Sequence, residues 1–473
     1  MLKPAAFAVS AVALLLAGCA SMAPDYQAPA QPVPADYPAD APSAAGQHAA
    51  ALDWREHFAD PRLQQLIAQA LVHNRDLRLA ALRVQEARAA YGIQRAERLP
   101  AIGLSGAASR ARVPGSLNAT GQPVTGSQYQ LALGVNGWEI DFWGRVQSLQ
   151  DAALQSYLAS DAARRALTLL LVAQVADGYL RLRELDERLL LARRSIASRA
   201  ESLRIFTRRF EVGATSRLDL TQVQTLSAQA RALAAQLTQQ RATQAHALGL
   251  LVGAAADLTP ITAALDDAAV MHTLAAGLPS ALLADRPDIL AAEHRLRAAN
   301  ANIGAARAAF FPRIALTGHA GVASAQFDAL FETASRAWTF APSISLPIFD
   351  GGARKRSLDL AEVRRELAVA DFEKTVQAAF RDVADALSAC QGLAEQVRIG
   401  QETLAAQAER ARLAQLRYEH GAAAFLEVLD AQRELLAAEQ AQVQTRRALL
   451  SARVGLYAAL GGGARHVAAA PAP

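Results

Sequence analysis

RDLRLAALRVQEARAAYGIQRAERLPAIGLSG, residues 75–106, and PDILAAEHRLRAANANIGAARAAFFPRIALTG, residues 287–318, decide the architecture, because the second is written on the plan of the first. A shift of about 212 positions places Asp76, Arg83, Ala87, Gly92, Arg95, Pro100, Ile102, Leu104 and Gly106 on Asp288, Arg295, Ala299, Gly304, Arg307, Pro312, Ile314, Leu316 and Gly318 without a gap. A second shift, of about 208, places Gly144, Arg209, Glu211, Gly213, Ala214, Leu218, Gln224 and Gly253 on Gly352, Arg417, Glu419, Gly421, Ala422, Leu426, Gln432 and Gly461. Self-similarity at this period predicts two structural repeats. The change of shift, between Gly106 and Trp138, predicts a loop about four residues longer in the first copy.

Each copy reads as helix, strand pair, very long helix, turn and return helix, with Pro100 and Pro312 closing the first helix. The first copy is expected over residues 51–260, with strands at about 100–140, a long helix at 145–209 and a return helix at 216–252. A linker at 261–285 leads to the second copy at 286–461, with strands at about 312–348 and helices at 353–418 and 424–460, then a tail at 462–473. No proline interrupts residues 145–209, and at 1.5 Å per residue such a helix reaches roughly 100 Å. Val175, Leu182, Leu189, Ile196, Leu203 and Phe210 recur every seventh residue, with Leu171, Leu185, Ala192 and Phe206 between them, which is a coiled-coil seam. Cys390, Val397, Leu404, Ala411 and Tyr418 take the matching places in the second copy, so Cys390 reads as a packing residue.

Composition agrees with a mainly helical chain. Of 473 residues 52% are hydrophobic but only 5% aromatic, and alanine and leucine supply most of the hydrophobic share, a mixture that favours long, closely packed helices. The 48 basic residues are offset by 44 acidic ones interleaved along the helices, so the formal charge of +4 describes solvated helix faces and no nucleic-acid surface.

The strand segments have the period of two. Tyr129, Leu131, Leu133 and Val135 alternate with small or polar residues, as do Ile102 and Leu104, Ile314 and Leu316, and Trp338, Phe340, Ile344 and Leu346. Segments of about ten residues suffice to cross a membrane as tilted strands. Four strands cannot close on themselves, and open edges are excluded from lipid, so subunits must pool them. Two copies would leave room only for packed side chains, whereas three would give twelve strands and a lumen.

At the N-terminus Lys3 precedes an apolar run from Ala5 to Leu16, too short to anchor as a membrane span, and then Leu16-Ala17-Gly18-Cys19. Residues 1–18 resemble a lipoprotein signal peptide, with Cys19 as the lipidated residue and residues 19–50 a Pro/Ala-rich tether. Ala20 and Ser21, in place of an aspartate, imply routing to the outer membrane.

Nearly the whole mature chain resembles the TolC-like outer-membrane factors of tripartite, resistance-nodulation-division type efflux systems, in their lipoprotein branch. The resemblance is carried by Trp54, Phe58, Asp60, Pro61 and Leu63, by WEIDFWGR at 138–145, by RPDILAAEHRLRAANANIGAARAAFF at 286–311 and by LPIFDGG at 346–352. It implies a mixed, mainly α fold: a homotrimer whose twelve-stranded transmembrane β-barrel, four strands per subunit, is continuous with a periplasmic α-helical coiled-coil barrel. It implies as partners a periplasmic adaptor, an inner-membrane pump and outer-membrane lipid. The turns Val212-Gly213-Ala214 and His420-Gly421-Ala422 are then the inner tips that face the adaptor. Tyr418 matches the family's gate tyrosine, Glu427 and Asp430 its acidic entrance positions, and Asp219 an acidic position of the first copy. Glu427 and Asp430 lie three apart on one helix face, and six such carboxylates in a trimer would make the entrance cation-tolerant. Where some members carry an arginine, this chain has Ala423.

No H-x-x-x-H or C-x-x-C spacing and no phosphate-binding glycine loop occurs, so neither enzyme chemistry, a metal nor a cofactor beyond the lipid on Cys19 is expected. The expected function is a passive exit duct for small molecules such as drugs or toxic compounds. A non-conducting lipoprotein scaffold and the exit duct of a protein-secretion system are the alternatives.

Overall fold

The computed structural model describes residues 21–30, 32–34, 49–119, 121–265 and 286–465. Cys19, the signal-like residues 1–18, most of the linker and the last residues of the tail lie outside them. The described residues fall into two compact units, one drawn from residues 21–30, 83–160 and 291–373 and the other from residues 32–82, 161–290 and 374–465.

The first unit holds the sheet. Strands β1 (Ile102–Val113), β2 (Val124–Glu139), β3 (Arg313–Ser324) and β4 (Arg336–Ser345) are antiparallel in the order β1-β2-β3-β4, with β1 and β4 as open edges. The pairing fixes the faces. Ile102, Val135, Gly318 and Phe340 lie on one row, Leu104, Leu133, Ala320 and Trp338 on the next, and Gly106, Leu131, Val322 and Arg336 on a third. Each apolar residue of the alternation therefore shares one face, while Ser105, Gln130, Thr317, His319, Thr339 and Ser343 share the other. Gly134 and Gly321 stand on that second face, where a Cβ would run into the Gly318 and Leu131 carbonyls, so only glycine permits the close approach of β2 and β3. The β1–β2 and β3–β4 connections, residues 114–123 and 325–335, differ little. The expected extra residues of the first copy lie instead in β2, which has 16 residues against 10 in β4 and carries a bulge between Val135 and Trp138 with Gly137 at φ 61°.

Below the sheet the WEIDFWGR stretch turns the chain into a helix. Glu139 accepts two hydrogen bonds from Arg145, at 2.9 and 2.8 Å, and pairs with Arg313 at 2.8 Å, tying the end of β2 to β3. The Trp143 indole donates to the Pro312 carbonyl at 3.0 Å and stacks on Phe311. Residues 21–30 have no regular structure, yet they are held rather than loose. Asn300 donates to the Pro24 carbonyl at 2.7 Å and the Tyr26 hydroxyl to Glu293 at 3.2 Å, both on a helix spanning Pro287–Ala308.

Helices make up the rest: α1 (Trp54–His57), α2 (Pro61–His73), α3 (Arg75–Ala96), α4 (Arg145–Glu211), α5 (Arg217–Val252), α6 (Pro287–Ala308), α7 (Ala353–Glu419) and α8 (Phe425–Ala459). Both α4 and α7 have 67 residues. The first helix of each half, α3 and α6, stops at Ala96 and Ala308, just short of Pro100 and Pro312. Among the described residues no helix is long and apolar enough to cross a membrane.

In the second unit the seam of α4 is buried: Leu171, Val175, Leu182, Leu185, Leu189 and Ala192 are at most 5% exposed, and Leu185, Leu189 and Ala192 pack on Leu237 of α5. The matching seam of α7 is only half-buried within one chain. Cys390 is half-buried on α7, and that burial raises its thiol pKa. One carboxylate joins the two helix pairs. Glu184 of α4, fully buried, receives Arg181 at 2.6 Å, Arg188 at 3.0 Å and Arg447 of α8 at 3.0 Å. Arg188 also donates to Gln440 of α8 at 2.7 Å. Around the short helices, Asp60 caps α2 through the Arg62 and Leu63 amides and accepts the Tyr179 hydroxyl at 2.6 Å.

Candidate functional site

The expected tip turns close α4 and α7 in the same way. In the first, the Gly213 amide donates to the Phe210 carbonyl at 3.0 Å and the Ala214 amide to Arg209 at 2.7 Å. In the second, Gly421 donates to Tyr418 at 3.0 Å and Ala422 to Arg417 at 2.8 Å. Both are Schellman caps with the glycine in the left-handed region, φ 74° at Gly213 and 71° at Gly421. Nothing lies within 4 Å of a Cβ at either glycine, so backbone conformation alone demands it there. Val212, Leu218 and Leu426 project into solvent at 64, 67 and 54% exposure, and His420, Gly421 and Ala422 are exposed too. The two turns thus present repeated apolar knobs.

Behind the turns lies a small core. Phe206, Leu220, Val223 and Leu429 are buried together, with Leu203, Phe210, Leu226 and Phe425 around them. Phe425 of α8 reaches Phe206 of α4 at 4.5 Å and Tyr418 of α7 at 4.9 Å between ring centroids. The Tyr418 hydroxyl accepts a hydrogen bond from the Arg209 guanidinium at 2.5 Å, which links the last turn of α4 to the last turn of α7. Above it opens a cavity of about 670 Å³ whose lining includes Arg194, Arg199, Arg209, Gln415, Tyr418 and Glu439. Burial depresses the Arg199 pKa, helped by the charge of Arg433, and raises that of the Glu439 carboxyl.

The two carboxylates expected at the entrance, Glu427 and Asp430, share one face of α8, but neither stands without counter-charge. Glu427 pairs with Arg417 at 2.6 Å, and Asp430 with both Arg410 and Arg433 at 2.6 Å. Mutual repulsion between them is therefore offset inside the chain. Asp219 is held by a helix cap. It is the third residue of α5 and closes a capping box, accepting from the Ser216 amide and hydroxyl at 3.2 and 2.6 Å while Ser216 accepts its amide at 3.1 Å. The Ser216 and Thr215 hydroxyls and the Ser216 amide hold its carboxyl below the usual range.

Sequence reading missed the arginines. Arg209 and Arg417 were visible as a repeated pair, but their different partners, a phenol in one copy and a carboxylate in the other, depend on which helix faces them. Arg410 meets Asp430 across the hairpin, 20 residues away, a separation without a local signal. Ser216, three before Asp219, was the overlooked sign of a cap.

The sequence matches the family described as outer membrane efflux protein over residues 66–254 and 278–462. It is 43% identical, over 96% of this chain and 95% of the relative, to the antibiotic efflux pump outer membrane protein ArpC of Pseudomonas putida. A crystal structure of a membrane protein from Pseudomonas aeruginosa superposes with a TM-score of 0.88 at 42% identity, covering 94% of this chain and 98% of that one. The open-state structure of the Neisseria gonorrhoeae MtrE outer membrane channel superposes with a TM-score of 0.83 at 37% identity, covering 94% and 98%.

Proposed function

Since the chain belongs to the outer membrane efflux protein family, we infer that three copies join their sheets into one closed barrel and conduct exported small molecules passively outward. It is a TolC-like factor, the outer-membrane channel of a tripartite efflux pump, located in the outer membrane and extending into the periplasm. The observation that carries the conducting role is the register of the sheet. One face gathers the large apolar residues of all four strands over the part of the sheet nearest the helices, the other is polar or small, and both edges are open. In lipid an open edge leaves backbone groups unpaired at several kcal/mol each, so the edges must meet other copies.

Further support comes from surfaces that one chain leaves bare. On α7, Leu360, Val363 and Leu367, and separately Ile399, Leu413 and Leu416, are each more than a third exposed. Beyond β4, Ile348 and Phe349 are 92 and 89% exposed. Neighbouring copies cover these stripes in the trimer. The adaptor meets the Val212–Ala214 and His420–Ala422 turns, and lipid on Cys19 tethers the N-terminus. No chemistry is performed; small-molecule drugs or toxic compounds are the cargo class.

Single-channel recording of the purified protein, with its mass measured first, tests the proposal. A trimer with small conductance steps is expected. Alanine at Glu427 and Asp430 together would strand Arg410, Arg417 and Arg433, moving the reversal potential toward anions, and alanine at Arg410 and Arg433 would move it toward cations. A monomer silent in every bilayer would return the chain to a scaffolding role.

A further inference from the structure

The apolar face of the sheet is not apolar to its end. Strand parity places Arg110 and Arg112 of β1 on the face of Ile102 and Leu104, and Arg336 of β4 on the face of Trp338, Phe340 and Ile344. Arg110 stands eight positions from Ile102 and Arg336 eight positions from Ile344, so each lies about 27 Å along its strand from the end that joins a helix. With strands tilted by about 40°, that distance spans roughly the height of an apolar membrane band. The three arginines therefore mark its outer rim, beside the 114–123 and 325–335 connections.

An aromatic pair marks the same level independently. Tyr129, paired with Ala108 and Ser324, packs edge-to-face on Phe327 at 5.5 Å, the arrangement expected where acyl chain gives way to headgroup. All three arginines are exposed, and among the described residues no ion pair or hydrogen bond engages their side chains. The paired residues of that face include no carboxylate. A guanidinium in this position is costly deep in hydrocarbon and inexpensive at the rim, and its fork fits a phosphate in two-point contact.

We propose that Arg110, Arg112 and Arg336 form a rim that binds the phosphorylated headgroups of outer-leaflet lipid. Barrel closure sets β1 of one copy beside β4 of the next, so the rim draws on both sides of each subunit seam, and lipid phosphate bridges neighbouring copies. The inference rests on the lipid-facing reading of this sheet face given above.

The test uses the purified full-length trimer in detergent, with bound lipid counted by native mass spectrometry. A bisphosphorylated diglucosamine lipid, its dephosphorylated form and inorganic phosphate are the probes. Retention of the phosphorylated lipid alone is expected, weakening about fivefold for each arginine replaced in Arg110→Gln, Arg112→Gln and Arg336→Gln. Should the triple variant fail to assemble, Arg110→Gln and Arg336→Gln singly are each expected to show the loss. Equal retention by assembled variants, or of the dephosphorylated lipid, would overturn the rim while leaving conduction intact. Displacement of lipid by inorganic phosphate would make it a free-anion site and overturn the lipid assignment. A wild-type protein that neither trimerises nor conducts would instead remove the channel reading, and this inference with it.

Discussion

Asp219 shows how one residue type in one place can serve two readings. Its carboxyl titrates below the ordinary aspartate range because Ser216 and Thr215 hydrogen-bond to the charged form. A depressed folded pKa stabilises at pH above the unfolded value and the benefit is lost as pH falls through the folded one. The start of α5 should therefore loosen in acid below about pH 4, seen as faster hydrogen exchange at the Asp219 and Leu220 amides. Asp219→Asn should remove that pH dependence, and an unchanged exchange profile in that variant would mean that the cap does not carry it. At Tyr418 the prediction concerns the link between the two long helices. Tyr418→Phe keeps the ring on Phe425 but removes the acceptor for Arg209, so that link should weaken by about 1 kcal/mol, and under the gate role that the resemblance gives Tyr418 the resting open probability should rise about fivefold in planar bilayers. The glycines and the tyrosine were legible because they repeat or recur at fixed offsets. The cap was not, because an acidic residue near a turn satisfies either pattern.

Among the elements, the long helices were legible almost to the residue, since periodicity and the absence of proline act over many turns. The repeated Gly-Ala turns ended them at Glu211 and Glu419. The strand pairs were legible as alternation, but the bulge in β2 was not: a one-residue slip between Val135 and Trp138 follows from what β3 offers opposite, which no local pattern encodes. Least legible was the tie between helix pairs, for Glu184 and Arg447 are 263 residues apart. Three guanidiniums around one buried carboxylate make that tie asymmetric. Glu184→Ala would leave Arg181, Arg188 and Arg447 without their shared partner and should cost about 3 kcal/mol, lowering the thermal midpoint of the detergent-solubilised protein. An unchanged midpoint would mean that water compensates those charges as well as Glu184 does.

For the whole molecule, the sequence made assembly a necessity before any geometry was known, because four amphipathic strands have no internal way to close. It did not disclose that the carboxylates near the tip come with their own arginines. In the proposed channel, lipid on Cys19 is an attachment independent of assembly. Cys19→Ala should abolish acyl labelling yet leave the chain able to form trimers, since the proposal gives the contacts between copies to the sheet and α7; failure to assemble would make the lipid a folding requirement. The open edges of β1 and β4 also set a clock. If three subunits close the barrel as proposed, then until they meet every newly exported chain carries two unsatisfied strand borders and an apolar face, and the lifetime of that state falls as subunit concentration rises. Scarce expression should therefore favour degradation or off-pathway strand pairing, and yield of channel should climb more steeply than the amount of chain synthesised.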